Sequence, residues 1–135
     1  MIVADTNLIA YLLIHGDETP LAEQVFAKDS EWIAPLLWRS EMQNVLALYI
    51  RQQTITLSQA IQIMSAAQTL MQTGSYQTTA EKVLTLVATS SCSAYDCEFV
   101  ALAQDLQLPL VTSDKRILRD FPETAVSLLQ FSQNH

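Results

Sequence analysis

The sequence predicts an α/β protein of three layers, α/β/α, built on a central parallel sheet as a single domain over residues 1–135. Three observations lead there. Short apolar runs without helical pattern, such as Ile2-Val3-Ala4, alternate with longer stretches of helical pattern. Strands alternating with helices imply a parallel sheet covered on both faces. Half of the 135 residues are apolar and only two are glycine, a composition that supports a sizeable core.

Ile2-Val3-Ala4 reads as a buried strand ending at Asp5. A short helix over Leu8–Ile14 follows, then a turn at His15-Gly16-Asp17. Thr19-Pro20 places a cap and a first-turn proline at the start of a helix through Lys28. Trp32-Ile33-Ala34 is a second strand, closed by Pro35. Two long helices are expected over Leu36–Gln53 and Leu57–Met71, the second capped by Thr56 or Ser58. Gly74-Ser75 breaks the pattern, and Tyr76-Gln77 forms a short strand. Thr78 or Thr79 caps a helix through Thr89, and Ser93 caps another through Leu106. Pro109-Leu110-Val111-Thr112 is a strand leading into Ser113-Asp114. A short helix over Lys115–Asp120 and a last strand over Ala125–Gln130 complete the pattern.

No apolar stretch is long enough to span a bilayer. The opening MIVADTN lacks a basic segment, which argues against a secretory signal. Cys92 and Cys97 lack CxxC or metal-ligand spacing and read as buried, reduced thiols of a cytoplasmic protein. The net charge of −7 speaks against unassisted attraction to nucleic acid. It does not exclude it, because carboxylates around a divalent cation are neutralised in the working protein.

The informative acids are those standing where their element calls for apolar residues. At about 100° per residue, Leu37, Leu48, Val45, Trp38, Tyr49, Met42 and Leu46 share one face of the helix after Leu36. Glu41 falls inside that arc, opposite Ser40, Asn44 and Arg51. On the helix after Ser93, Asp96 lies between Ala103 and Val100 on the inner face, whereas Glu98 and Asp105 point to water. Asp5 and Asp114 lie at the carboxyl ends of apolar strands, where open parallel sheets bind ligands. Each also has an ordinary reading, Asp5 as a turn residue and Asp114 as a helix cap. Four carboxylates at one sheet edge repel one another, so either their pKa values rise or a cation sits among them. Oxygen ligands without Cys or His favour Mg²⁺ or Mn²⁺.

In VADTNLIAYLL, WRSEMQNVL and SAYDCEFVALAQDLQLPLVTSDKRIL the sequence resembles the PIN-domain nucleases, in particular the VapC-like toxins of toxin–antitoxin pairs. The resemblance covers almost the whole chain in order, and the last block is its most specific part. It implies a PIN-like sandwich in which Asp5, Glu41, Asp96 and Asp114 form the catalytic metal site, supported by Asn7 and Thr112. It further implies metal-dependent hydrolysis of RNA phosphodiester bonds, a homodimer and a cognate antitoxin protein. Asp5 and Asp96 are then the first choices for direct ligands; Glu41 or Asp114 binds through water or accepts the nucleophile's proton. Some members carry a further acid three residues after the position of Asp114, where this chain has Ile117.

Lys115, Arg116 and Arg119 flank Asp114 and suit either phosphate contact or a solvated helix face. His15 and His135 have no partner at ligand spacing. A phosphotransfer domain would need adjacent acids or Asp-x-Asp after the first strand, and Asp5-Thr6-Asn7 supplies neither. An RNA-processing nuclease without an antitoxin and a non-catalytic interaction module remain the alternatives.

Overall fold

In the computed structural model, which describes residues 1–71 and 75–134, the apolar run Ile2–Ala4 forms β1 at the centre of a five-stranded parallel sheet. The other strands are β2 (Trp32–Pro35), β3 (Ser75–Tyr76), β4 (Leu110–Val111) and β5 (Ala125–Val126), in the order β3-β2-β1-β4-β5. Register is set by Val3 opposite both Ile33 and Leu110, all fully or almost fully buried. The predicted three-layer fold is thus observed. No helix among the described residues is long and apolar enough to cross a membrane.

The helices are α1 (Thr6–Leu13), α2 (Thr19–Lys28), α3 (Trp38–Arg51), α4 (Leu57–Leu70), α5 (Ala80–Ala88), α6 (Ala94–Leu106), α7 (Lys115–Asp120) and α8 (Leu128–Gln133). The chain steps from β1 out to β3 through α1–α4, then returns to β4 and β5 through α5–α7. Right-handed crossovers put those two sets on opposite faces of the sheet. The strand order reverses between β1 and β4, and the carboxyl ends of these two strands open the crevice of a switch point.

Four expectations need correction. The final strand stops at Val126, because the Ser127 hydroxyl accepts from the Gln130 amide and starts α8 instead. Thr19 does not cap α2; Glu18 occupies that position, and the Thr19 hydroxyl ties the preceding turn by accepting from Gly16 and donating to the Tyr11 carbonyl. The long third helix begins at Trp38 rather than Leu36, and α1 begins two residues early, at Thr6. Thr56 and Thr79 cap α4 and α5, resolving two open choices. The expected break at Gly74 lies outside the described residues, as does His135.

With two glycines in the chain, left-handed backbone falls to glutamines: Gln53 follows α3 at φ 59° and Gln107 caps α6 at φ 56°. Cys92 and Cys97 are buried and unpaired, and burial pushes the Cys92 thiol up to about 11, so it stays protonated.

Candidate active site

Asp5, Glu41, Asp96 and Asp114, distant in sequence, line one cavity of about 540 Å³ at the carboxyl ends of β1 and β4. Asn7 lines it as well. Each acid reaches it by a different local device.

Asp5 ends β1, where its amide donates to the Val111 carbonyl (3.2 Å) and continues the pairing with β4. It occupies the N-cap position of α1, yet its side chain makes no capping bond. Oδ2 instead accepts from the fully buried Thr112 hydroxyl at 2.6 Å. The same hydroxyl accepts from the Asp114 amide at 3.0 Å, so Thr112 fixes both aspartates at once. Asp114 does cap its helix: Oδ1 accepts from the amides of Arg116 (2.8 Å) and Ile117 (3.0 Å). Its other oxygen has no such duty.

Glu41 sits in the first turn of α3, with Oε1 accepting from the Thr6 hydroxyl at 2.7 Å. The helical arc drawn from the sequence is too broad here. The buried stripe is Trp38, Met42 and Leu46, while Leu48 is 53% exposed and Glu41 stands half-buried on the flank. Ser40 and Asn44, placed on the far side by the same arc, line the cavity beside Glu41. Asp96 occupies the third position of α6 in a capping box: its amide donates to the Ser93 hydroxyl (3.1 Å), and its carboxylate accepts from the Ser93 amide (3.4 Å). Asp105 faces water as expected. Glu98 does not fully: it is half-buried, and burial raises its pKa.

Burial dominates the electrostatics. It raises the Asp5 pKa, opposed by the Thr112 hydroxyl and reinforced by the charges of Asp114 and Asp96. Glu41 is raised in the same way, first by burial and then by Asp5 and Asp96 against the Thr6 hydroxyl. No lysine, arginine or histidine lines the cavity among the described residues. Among the described residues, the negative charge there has no counter-ion in the cavity lining.

This donor set suits a hard divalent cation. Among the described residues, no three acids, histidines or cysteines stand close enough to chelate one ion unaided. The cavity leaves room for intervening water, and Mg²⁺ commonly binds through one or two carboxylates while keeping several waters.

A second cavity shares Asp114 and is lined by Ser113, Lys115, Arg116 and Arg119. Lys115 and Arg116 are exposed and form no ion pair among the described residues. Arg119 is committed elsewhere, donating to Asp120 (2.9 Å) and to the Ser91 hydroxyl (2.6 Å). Sequence reasoning missed Thr6, Ser40, Asn44 and Tyr95. The i, i+4 spacing of Ser40 and Asn44 about Glu41 was the one available signal; the hydroxyl of Thr6 is brought to Glu41 only by the tertiary fold.

A family model described as the PIN domain matches residues 2–123. The chain belongs to the PIN domain family. PIN domains are generally nucleases, hydrolases of phosphodiester bonds that typically use divalent metals. No curated protein matches this PIN domain. Among solved structures, it is similar to PAE2754 from Pyrobaculum aerophilum, with a TM-score of 0.77 at 16% identity over 98% of this chain and 97% of that one. It is also similar to a toxin–antitoxin complex from Klebsiella pneumoniae, with a TM-score of 0.70 at 19% identity over 95% and 98%. At these identities the likeness concerns the fold of the PIN domain, which it covers almost end to end.

Proposed function

We propose that this PIN domain is a cytoplasmic, Mg²⁺- or Mn²⁺-dependent endoribonuclease and the toxin of a toxin–antitoxin pair. The supporting observation is Asp5, a half-buried carboxylate whose pKa is raised by desolvation and by two further acids, whose side chain makes no helix-capping bond, and whose cavity is lined by no basic residue among those described. A solitary structural role does not account for such a group, because a desolvated charge without a counter-ion is destabilising. A non-catalytic module would have no use for it.

The cation, when bound, supplies activation of water and stabilisation of charge on the phosphodiester. Asp5 and Asp96 would hold it, with Thr112 fixing the orientation of Asp5. Glu41 keeps one oxygen on Thr6, leaving the other to accept the proton of the attacking water. Asp114 commits one oxygen to the α7 amides, and the other would be free to serve the cavity that this residue lines. Lys115 and Arg116, which line a second cavity with Asp114, would contact substrate phosphates there.

Metal is expected to raise the melting temperature by several degrees, since a ligand of the native state stabilises by about 2.7 kcal/mol at one hundred times its Kd. Differential scanning fluorimetry in millimolar Mg²⁺, Mn²⁺ or chelator measures this, alongside cleavage of single-stranded RNA under the same conditions. An unchanged melting temperature together with chelator-insensitive cleavage would sink the metal site.

The toxin reading rests on family membership, together with the hazard an unrestrained ribonuclease presents to its own cell. Leu48, Leu57 and Ile61, exposed on α3 and α4, offer apolar surface for a homodimer. An antitoxin would place an arginine or lysine of its C-terminal segment against Asp5, Asp96 or Asp114, where charge-assisted bonds are strong. Size-exclusion chromatography with light scattering should give twice the 15.1 kDa chain mass, and a larger complex on co-expression with the product of the gene upstream. A monomer indifferent to that product, and harmless on expression, would remove the toxin assignment and leave the nuclease one.

A further inference from the structure

The chain has four tyrosines, and three of them, Tyr11, Tyr49 and Tyr76, are half-buried. Tyr95 is different. It occupies the second position of α6, immediately before Asp96, and is 62% exposed while lining the acid cavity. An aromatic ring left open to water at that point contributes little to the core.

From α3, Ser40 and Asn44, both exposed, line the same cavity beside the half-buried Leu37 and Val45. The cavity lining therefore combines carboxylates with an exposed aromatic ring, partly buried apolar surface and neutral hydrogen-bonding groups. Phosphate would be repelled by the acids without their cation, but a nucleobase meets no such obstacle. A flat, uncharged base gains from stacking on an aromatic ring and from hydrogen bonds to neutral side chains along its edge.

Resting on the nuclease reading above, we propose that Tyr95 is a stacking platform for the nucleobase next to the scissile phosphate. Ser40 and Asn44 face that base from α3. The ring positions the chain so that its backbone passes over Asp5 and Asp96, and the following phosphates run past Asp114 to Lys115 and Arg116. A base paired within a duplex cannot offer its face to Tyr95, so the ring also discriminates against double-stranded substrate. The capping box of Ser93 and Asp96 holds the first turn of α6 and hence the platform.

The test is equilibrium binding by fluorescence anisotropy, using a 5′-labelled single-stranded oligoribonucleotide of mixed sequence and its duplex, with Ca²⁺ replacing Mg²⁺. Tyr95→Ala should weaken single-strand binding by about 5- to 150-fold, the range for loss of one base–aromatic stack. Tyr95→Phe and Tyr95→Trp should bind like the parent, because the ring rather than the hydroxyl is used. The duplex should bind weakly and ignore all three changes. Circular dichroism melts identify an alanine variant that has lost its fold; Tyr95→Ser then serves as the second small replacement. Equal binding by the alanine variant, a duplex bound as tightly as the single strand, or no RNA binding by the parent would each overturn the platform. Cleavage in Mg²⁺ separates the two ideas: a parent that cleaves RNA while Tyr95→Ala binds normally keeps the nuclease and loses the platform. A parent that binds through Tyr95 yet never cleaves does the reverse.

Discussion

Asp5→Asn is expected to lower RNA cleavage by on the order of 10²- to 10⁴-fold and, without metal, to raise the melting temperature. The two effects share one cause. Burial and the neighbouring acids raise the pKa of Asp5 above its ordinary 3.8, and that of Glu41 above 4.5. Each carboxyl therefore binds its proton more tightly in the folded chain than in the unfolded one. Their contribution to stability is present in full below the ordinary carboxylate range and is lost as pH rises through the raised folded values. At neutral pH the metal-free fold carries unfavourable charge, and asparagine removes it while still accepting from Thr112. Thermal melts in chelator from about pH 4 to pH 8 should show the parent losing stability with rising pH and the variant losing less. Asp96→Asn should match the loss of cleavage. Glu98→Gln and Asp105→Asn are the controls and should cleave normally, since neither lines the cavity. Control variants as inactive as Asp96→Asn would refute the assignment.

Thr112→Val carries the second large effect. Valine matches threonine in shape but removes the hydroxyl that donates to Asp5 and accepts from the Asp114 amide. The site is fully buried, so water cannot replace it without rearrangement. Leaving such groups unsatisfied costs about 1–3 kcal/mol, read as a lower denaturant midpoint. Cleavage should fall by about 10- to 100-fold, as for groups that orient metal ligands. The pH profile distinguishes this from general loosening. The Thr112 hydroxyl lowers the Asp5 pKa, so its removal should push that pKa higher and move the rising limb of the cleavage profile to higher pH. Thr112→Ser, which keeps the hydroxyl, should restore the profile. An unshifted profile in the valine variant would mean that Thr112 serves packing alone.

The strands and the acids at their ends were legible in the sequence because they depend on short-range signals. Ile2–Ala4 and Trp32–Pro35 are continuous apolar runs; Asp5 follows the first directly, and Asp114 comes three residues after Val111 ends β4. Glu41 and Asp96 were found by helical phase, but that phase misplaced Leu48, which is 53% exposed. Phase identifies a face without telling whether a neighbouring element covers it. Glu98 failed for the same reason. The last strand was overextended because Ser127 in an apolar stretch weakens an alternation pattern only slightly, yet as a cap it starts a helix. Thr6 and Tyr95 carry no local signal; one bonds to a residue 35 positions away, and the other matters only through where α6 ends up.

The central position of β1 has a consequence for how the molecule comes into being on the ribosome. A strand made first must wait for β4 before its second edge is filled, and the hydroxyl that orients Asp5 comes 107 residues later in the chain. Pairings of such long separation form late, after the cost of closing the intervening loop. Until Leu110 and Val111 have left the exit tunnel, Asp5 and Asp114 cannot face each other. The acidic crevice is therefore absent throughout synthesis of the segment between β1 and β4. Assembly of β4 onto β1 is the event that creates the crevice, and a chaperone or ribosome-bound partner acting before that moment would meet a chain whose acids have not yet converged.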